Sequence, residues 1–263
     1  MLIENVNKLG ESPIWNYDDN KFYWVDIDDH KIKSLEDHII INEYKLNKSP
    51  TSLGLYDARQ LFATVENGLG IFDLRTGTYN YLYKINDKDV RFNDGKCDRK
   101  GIFYTGTMSR NNPRLPIATL YNFNNGVLNP LINKLSTTNG ISFTKDNSYM
   151  YYSDTPLKKI YKMNRNTNEK IDISTEFGPD GSTIDENDLY YSCMWGGSRL
   201  TIYDDLKFVS DIHLPFEYPT CCCFGGSYLD RLLVTSASSF NDKGYLKLIK
   251  MNNSGVKENK VKI

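Results

Sequence analysis

The sequence predicts an all-β protein, a six-bladed β-propeller whose four-stranded antiparallel blades surround a central channel. Its composition is rich in Tyr (19) and Phe (12), which favour strands, and it lacks long amphipathic helical patterns. Short aromatic runs recur at intervals of 39 to 48 residues. Such runs, each preceded by a polar turn signal, are typical of propeller blades of roughly 40 to 50 residues.

Six of these runs are present, which predicts six blades. They begin at Phe22, Leu61, Ile102, Met150, Leu189 and Leu232. The Asp/Asn-rich segments before them, such as Asp18–Lys21, suit tight hairpin connections. No linker or low-complexity segment interrupts the pattern, so we expect one domain over residues 1–263. The polar tail Met251–Ile263 is compatible with either an outer strand or a frayed end.

The charge balance argues against several classes of partner. With 32 basic and 33 acidic residues, the chain has no excess charge that would indicate a nucleic-acid or membrane partner. No apolar stretch is long enough to span a membrane, and Met1–Lys8 does not resemble a signal peptide. We therefore expect a cytoplasmic protein, and nothing in the sequence indicates an obligate protein partner.

The cysteines do not form a recognisable framework. There are five, three of them consecutive at 221–223, so we expect reduced and mostly buried thiols. The three histidines, His30, His38 and His213, are scattered, and no CxxC pair exists. These features argue against a zinc site made of His and Cys ligands.

Polar residues stand at the start of each predicted innermost strand. These segments are Gly10–Trp15, Thr51–Leu55, Arg91–Asp98, Thr138–Ile141, Gly178–Ser182 and Thr220–Gly226. Innermost strands surround the channel of a propeller, so residues distant in sequence should converge there. Glu11, Asn139 and Asp180 would then supply oxygen atoms to one point, with Arg91 and Asn93 nearby.

Two carboxylates and an amide suit a hard or borderline divalent cation such as calcium, magnesium or manganese. A cation at this point can polarise a carbonyl oxygen and lower the pKa of a bound water, while an adjacent carboxylate accepts the proton. The pattern therefore indicates a hydrolase site.

Seven motifs lie in order over nearly the whole chain. They are Gly10–Trp15, Phe22–Ile27, Arg91–Asp98, Tyr104–Met108, Asn139–Phe143, Pro179–Gly181 and Thr220–Gly226. Pro-Asp-Gly alone carries no information, but Arg-Phe-Asn-Asp-Gly-Lys and the ordered set are specific. Together they resemble the gluconolactonase/regucalcin (senescence marker protein) family, which includes proteins like luciferin-regenerating enzyme.

The resemblance implies a six-bladed propeller with one divalent metal in its channel, which opens gluconolactone-like sugar lactones to aldonic acids. The metal would be calcium, manganese, zinc, magnesium or iron(II). By motif position, the family's metal ligands fall on Glu11, Asn139 and Asp180. Asp180 would also be the general base, and Arg91 and Asn93 would contact the substrate. The expected partner is thus a small-molecule sugar lactone.

The segment 109–116 departs from the family. It is shorter than the lid-like segment of better-known members and lacks that segment's acidic residue. Its two arginines, Arg110 and Arg114, would favour a more anionic lactone if they faced the site, but solvated loop charges are the preferred explanation.

Several candidate residues have structural explanations. Asn139-Gly140 and Asp180-Gly181 are also common turn pairs, and Asp94 is expected to be a structural hydrogen-bonding group. Lys96 could be a channel charge or a strand-pairing residue. Trp15, Met108 and Trp195 are weaker candidates, because aromatic and Met residues of a propeller usually belong to the core.

Two other functions remain open from the sequence. One is a non-catalytic calcium-binding propeller of the regucalcin type, which would bind metal without turnover. The other is a hydrolase of organophosphates or aryl esters on the same scaffold, since a fold does not determine a function.

Overall fold

In the described part of the chain, twenty-four strands form six four-stranded antiparallel sheets, and the predicted six-bladed propeller is confirmed. The structure is a computed structural model that describes residues 1–36, 39–238 and 243–263, so His38 lies outside the described residues. The helix found in these ranges is a single 3-10 turn, Thr155–Leu157. No described helix is long and apolar enough to cross a membrane.

The first three blades follow one another along the chain. Blade one comprises β2 (Gly10–Asn16), β3 (Lys21–Asp26), β4 (Lys31–Glu36) and β5 (Ile39–Lys45). Blade two comprises β6 (Pro50–Asp57), β7 (Gln60–Val65), β8 (Gly68–Asp73) and β9 (Tyr79–Lys84). Blade three comprises β10 (Val90–Cys97), β11 (Phe103–Ser109), β12 (Ala118–Asn124) and β13 (Val127–Leu135).

The remaining blades repeat this order until the ring closes. Blade four comprises β14 (Thr138–Phe143), β15 (Tyr149–Asp154), β16 (Lys159–Asn164) and β17 (Lys170–Ser174). Blade five comprises β18 (Gly178–Ile184), β19 (Tyr190–Trp195), β20 (Arg199–Asp204) and β21 (Lys207–His213). Blade six comprises β22 (Pro219–Gly225), β23 (Arg231–Ser236), β24 (Gly244–Lys250) and β1 (Leu2–Asn7).

The first strand of each blade lies innermost. The strands β2, β6, β10, β14, β18 and β22 each contact the corresponding strand of both neighbouring blades, which makes them the wall of the channel. The six aromatic runs fall on the second strands, as predicted. Asn20 and Asn147 turn the β2–β3 and β14–β15 hairpins with positive φ angles of 58° and 65°, a conformation that Asn tolerates well.

Aromatic side chains fill the gaps between blades. Phe62 of blade two lies 4.7 Å from Phe103 of blade three between ring centroids, and Tyr151 of blade four stacks on Tyr190 of blade five at 4.6 Å. All four are almost completely buried. Burial of these large rings stabilises the packing of neighbouring blades.

Both ends of the chain contribute to the ring. Strand β1 pairs with β24 and completes blade six. The C-terminal tail is neither a fourth strand nor frayed. It bridges Gly255 to Asp185 and Lys260 to Leu55, near the ends of β18 and β6, and it buries Val261. The tail therefore crosses the face of the propeller opposite the starts of the innermost strands.

The five cysteines are free and buried, as expected. Burial raises the pKa of Cys97, Cys221 and Cys223 above the usual value for a thiol. Because the thiolate is the reactive form, these side chains act as packing groups.

Candidate active site

A cavity of about 450 Å³ opens where the innermost strands begin. The five predicted site residues all line it, although they come from four different blades: Glu11, Arg91, Asn93, Asn139 and Asp180. Asn93, Asn139 and Asp180 are buried, whereas Glu11 and Arg91 are partly exposed. These side chains thus form the floor and lower wall of the cavity.

An irregularity in strand pairing accompanies each of these residues. The register between the first and second strands shifts between Glu11 and Ile14, between Phe92 and Gly95, between Asn139 and Ser142, and between Pro179 and Ser182. A β-bulge redirects side chains out of the regular in–out alternation. The repeated shift explains how successive polar residues can face the channel while the flanking residues pack in the core.

A hydrogen-bonded chain orients the amides of the floor. Arg91 Nη1 donates to Asn93 Oδ1 at 3.0 Å, and Asn93 Nδ2 donates to Asn139 Oδ1 at 2.7 Å. Asn139 Nδ2 donates to Thr155 Oγ1 at 2.8 Å, and Thr155 Oγ1 donates to Pro179 O at 2.7 Å. The chain therefore links blades three, four and five and fixes the direction of the Asn139 side-chain oxygen.

The surroundings disfavour the charged forms of the two carboxylates at the floor. Burial raises the pKa of Glu11 well above its usual value, and the negative charge of Asp180 raises it further. Burial likewise raises the pKa of Asp180, with the charge of Asp94 as the next cause. Neither carboxylate forms an ion pair with any basic residue in the described part of the chain.

These donors fit a divalent cation. Among residues 1–36, 39–238 and 243–263, no three His, Cys, Asp or Glu side chains group closely enough to bind a metal by themselves. A cation here would therefore need the amide oxygen of Asn139 beside Glu11 and Asp180. That oxygen has two lone pairs, one of which accepts from Asn93, so the second is free for a ligand. Oxygen donors of this kind suit calcium, magnesium or manganese.

Asp94 and Lys96 have structural roles. Asp94 accepts the backbone N–H groups of Gly95 at 2.8 Å and Ile141 at 3.1 Å, so it ties β10 to β14 as the sequence suggested. Lys96 faces the opposite end of the channel, where its Nζ lies 2.7 Å from a carboxylate oxygen of Glu258 in the C-terminal tail.

The weaker aromatic and Met candidates divide into two groups. Trp15 is buried in the core against Phe22, with a ring-centroid distance of 4.7 Å. Met108 and Trp195, by contrast, line the cavity, together with Phe177. The cavity thus has an apolar wall above its polar floor.

Sequence reasoning did not identify Thr155 and Lys158, which also line the cavity. Both belong to the connection between the second and third strands of blade four. In an antiparallel blade this connection lies at the same end as the start of the first strand. The sequence could therefore have indicated these two residues by their position directly after an aromatic run.

The segment 109–116 places its two arginines differently. Arg110 Nη1 lies 2.7 Å from a carboxylate oxygen of Glu66, and Arg110 does not line the cavity. Arg114 lines it. Arg110 is therefore a loop charge that does not face the site, whereas Arg114 does face it.

Comparison with known proteins identifies relatives over almost the full length. The family model described as SMP-30/Gluconolactonase/LRE-like region matches residues 9–238. A Bacillus subtilis (strain 168) protein named "Putative sugar lactone lactonase YvrE" is 32% identical over 88% of this chain and 84% of its own length. Regucalcin of Danio rerio is 30% identical over 90% of this chain and 85% of its own length.

The fold has close counterparts among solved structures. The calcium-binding protein regucalcin of Agrobacterium tumefaciens superimposes with a TM-score of 0.92, covering 98% of this chain and 95% of that chain. The two sequences are 21% identical, so this likeness concerns the fold alone.

Proposed function

Because the chain belongs to the SMP-30/gluconolactonase/LRE-like family, we propose that it is a metal-dependent hydrolase that opens sugar lactones to aldonic acids. One observation supports this most directly. Two carboxylates, the partly exposed Glu11 and the buried Asp180, lie at the floor of a cavity large enough for a small sugar, and neither forms an ion pair with a basic residue in the described part of the chain. The lactonase name of the Bacillus subtilis relative agrees with the proposal.

In this proposal Glu11, Asn139 and Asp180 hold one divalent cation, with calcium, manganese, magnesium, zinc and iron(II) all candidates. When bound, such a cation supplies Lewis acidity toward the lactone carbonyl and toward water. The chain's contribution is to hold the three donors rigidly. The hydrogen bond from Asn93 serves this purpose by fixing the Asn139 oxygen, and partners of metal ligands commonly have this role.

Asp180 acts as the general base in the proposed reaction. Its carboxylate accepts a proton from the water that attacks the lactone carbonyl carbon. The bond between that carbon and the ring oxygen then breaks, and the ring oxygen takes up a proton to become a hydroxyl group. The new carboxylic acid ionises at neutral pH.

Arg91 and Asn93 position the sugar. Arg91 Nη1 donates one hydrogen bond to Phe92 O at 2.9 Å and another to Asn93 Oδ1 at 3.0 Å. Its Nε and Nη2 have no protein partner within hydrogen-bond distance in the described residues, so they remain available to sugar oxygens. Oriented donors at the floor of a cavity lower the entropic barrier by fixing the substrate before reaction.

The test is hydrolysis of a panel of aldonolactones by metal-stripped protein, with each candidate cation added back and spontaneous ring opening subtracted. We expect turnover that requires metal and disappears in Asp180→Asn. The matched control is Asp204→Asn, an exposed residue of β20 outside the cavity. A folded protein that binds metal and opens no lactone would contradict the proposal and favour a calcium-binding role.

The apolar wall of Met108, Phe177 and Trp195 favours a second candidate, hydrolysis of aryl esters or organophosphates. The same metal-loaded protein should be assayed with both substrate classes. An aryl ester turned over faster than every lactone would favour this alternative.

We also propose that residues 1–263 form one domain. The N-terminal strand β1 completes blade six, and the C-terminal tail contacts blades two and five. Loss of either end should therefore destabilise the whole ring, which thermal unfolding of truncated chains would measure.

A further inference from the structure

Given the lactonase function proposed above, we propose that the substrate is a lactone with a second, anionic group at the end remote from its carbonyl carbon. Phosphate, sulfonate and carboxylate groups share the relevant chemistry. Arg114 and Lys158 at the cavity mouth are the residues assigned to this group. Neither residue belongs to the set that performs the ring opening.

The first argument is the charge balance of the cavity. Among the described residues that line it, the carboxylates are Glu11 and Asp180, whereas Arg91, Arg114 and Lys158 are cationic. A divalent cation at the floor would balance the two carboxylates. The rest of the cavity then carries only positive charge, and a cavity lined by one sign of charge concentrates ligands of the opposite sign.

The second argument is position. Arg114 and Lys158 are exposed, whereas Asn139 and Asp180 at the floor are buried. A lactone whose carbonyl carbon faces Asp180 must direct its far end toward the mouth. The anionic group is therefore expected on the terminal carbon of the sugar acid.

Arg114 is held over the cavity although it lies in an exposed segment. Thr137 Oγ1 donates to the carbonyl oxygen of the preceding residue, Pro113, at 2.8 Å. The guanidinium group itself forms no ion pair or hydrogen bond with another described residue, so its donors are free. A guanidinium group can bind a phosphate, sulfonate or carboxylate through two parallel hydrogen bonds.

Lys158 is fixed even more firmly. Its backbone adopts the left-handed conformation with φ of 54°, and its N–H donates to Thr155 O at 3.0 Å. Its carbonyl oxygen accepts from Thr175 N at 2.9 Å. Its Nζ donates one hydrogen bond, to the backbone oxygen of Glu176 at 2.8 Å, so two ammonium protons remain for a ligand.

No acidic side chain of the described residues forms an ion pair with Arg114 or Lys158 at this mouth. Glu66 is engaged by Arg110 at 2.7 Å and Lys48 at 3.1 Å. Asp28 influences Arg91 electrostatically, but it is exposed and does not line the cavity. The positive charge of Arg114 and Lys158 is therefore left for a ligand.

The test compares lactones that differ only in terminal charge. One pair is 6-phosphoglucono-1,5-lactone and glucono-1,5-lactone; a second pair, glucaro-1,4-lactone and glucono-1,4-lactone, replaces phosphate by carboxylate. We expect kcat/KM to be at least about tenfold higher for one charged member than for its neutral partner, mainly through KM. Raising the salt concentration should reduce this preference, because exposed charges are screened.

Arg114→Gln and Lys158→Gln should each lower kcat/KM for the charged lactone by about three- to tenfold and leave the neutral lactone unchanged. In the double variant, kcat/KM for the charged lactone should be close to kcat/KM for its neutral partner. Arg59→Gln and Lys170→Gln, which remove exposed charges outside the cavity, are the matched controls.

A binding measurement that needs no turnover completes the test. By calorimetry with metal-loaded protein, 6-phosphogluconate should bind more tightly than gluconate in wild type but not in the double variant. The proposal of an anionic substrate would be overturned if both neutral lactones were hydrolysed as fast as their charged partners or faster, and if the double variant bound 6-phosphogluconate as tightly as wild type. The lactonase function would then remain intact. If no lactone is opened, the proposed function fails, and the anionic lactone fails with it.

Discussion

The side-chain amide of Asn93 donates to the side-chain oxygen of Asn139 at 2.7 Å and so couples the innermost strands of blades three and four. The same Asn93 nitrogen lies 3.1 Å from Thr138 O, and its oxygen accepts from Arg91. Asn93 therefore connects the cationic side of the cavity floor to the proposed metal ligands. Its replacement should affect both metal binding and catalysis.

Asn93→Ala should weaken metal binding and lower kcat/KM by about 10- to 100-fold, the usual effect of losing a group that orients a metal ligand. The reason is that Asn139 loses the donor that fixes its oxygen. Metal titration and lactone kinetics measure the two effects. Asn80→Ala, at an exposed position of β9, is the control. An unchanged metal affinity would show that Asn93 does not orient Asn139.

Gly140→Ala should destabilise the protein and impair the site. Gly140 has φ of +61°, and an added Cβ would lie 2.6 Å from Ser153 Oγ and 3.0 Å from Asp180 O. The conformation alone costs about 1–2 kcal/mol for a residue with a Cβ, and the contacts add to this cost. Gly126→Ala separates the two causes, because Gly126 has φ of +75° with nothing within 4 Å. Chemical denaturation of both variants should show the larger loss for Gly140→Ala.

The metal-free protein should lose stability as the pH rises above the ordinary carboxyl pKa values of 4.5 for Glu and 3.8 for Asp. Glu11 and Asp180 have raised pKa values in the folded state, so the folded chain holds protons that the unfolded chain has released. Stability therefore falls as the pH rises from these ordinary values through the raised folded ones.

Melting temperatures of metal-free protein from about pH 5 to about pH 8 measure this effect. Asp180→Asn should flatten the decline, because it removes one of the two repelling charges. Added metal should raise the melting temperature of wild type and have much less effect on the variant. The idea is falsified if Asp180→Asn is less stable than metal-free wild type at the upper pH and retains the same slope.

Lys96→Met should destabilise the protein while leaving kcat intact at low temperature. The Lys96 and Glu258 side chains are 12% and 11% exposed, and their charged groups lie 2.7 Å apart. Removal of one partner of a buried ion pair typically costs about 3–5 kcal/mol, because the other charge is left uncompensated. Lys96→Met combined with Glu258→Leu should recover part of this loss. Denaturant unfolding and lactone kinetics distinguish a role in tail attachment from one in catalysis.

The repeat spacing and the order of the motifs were sufficient to predict the propeller and the five residues that meet in its cavity. The aromatic runs at Phe22 and Met150 predicted second strands, and the polar segments before them predicted innermost strands. This succeeded because strand periodicity and turn chemistry are local properties of the chain. This reasoning did not extend to Lys158, whose position depends on the turn Thr155–Leu157 and on Thr175, the residue that follows β17.

The sequence by itself thus determined the number of blades, the location of the polar segments and the kinds of donor at the channel. Only the tertiary structure decided that β1 completes blade six, that the tail binds Lys96 through Glu258, and that Arg114 lines the cavity while Arg110 pairs with Glu66. These relationships join residues far apart along the chain. Ring closure and packing between blades set them, and no local pattern encodes which distant partner a given charge will meet.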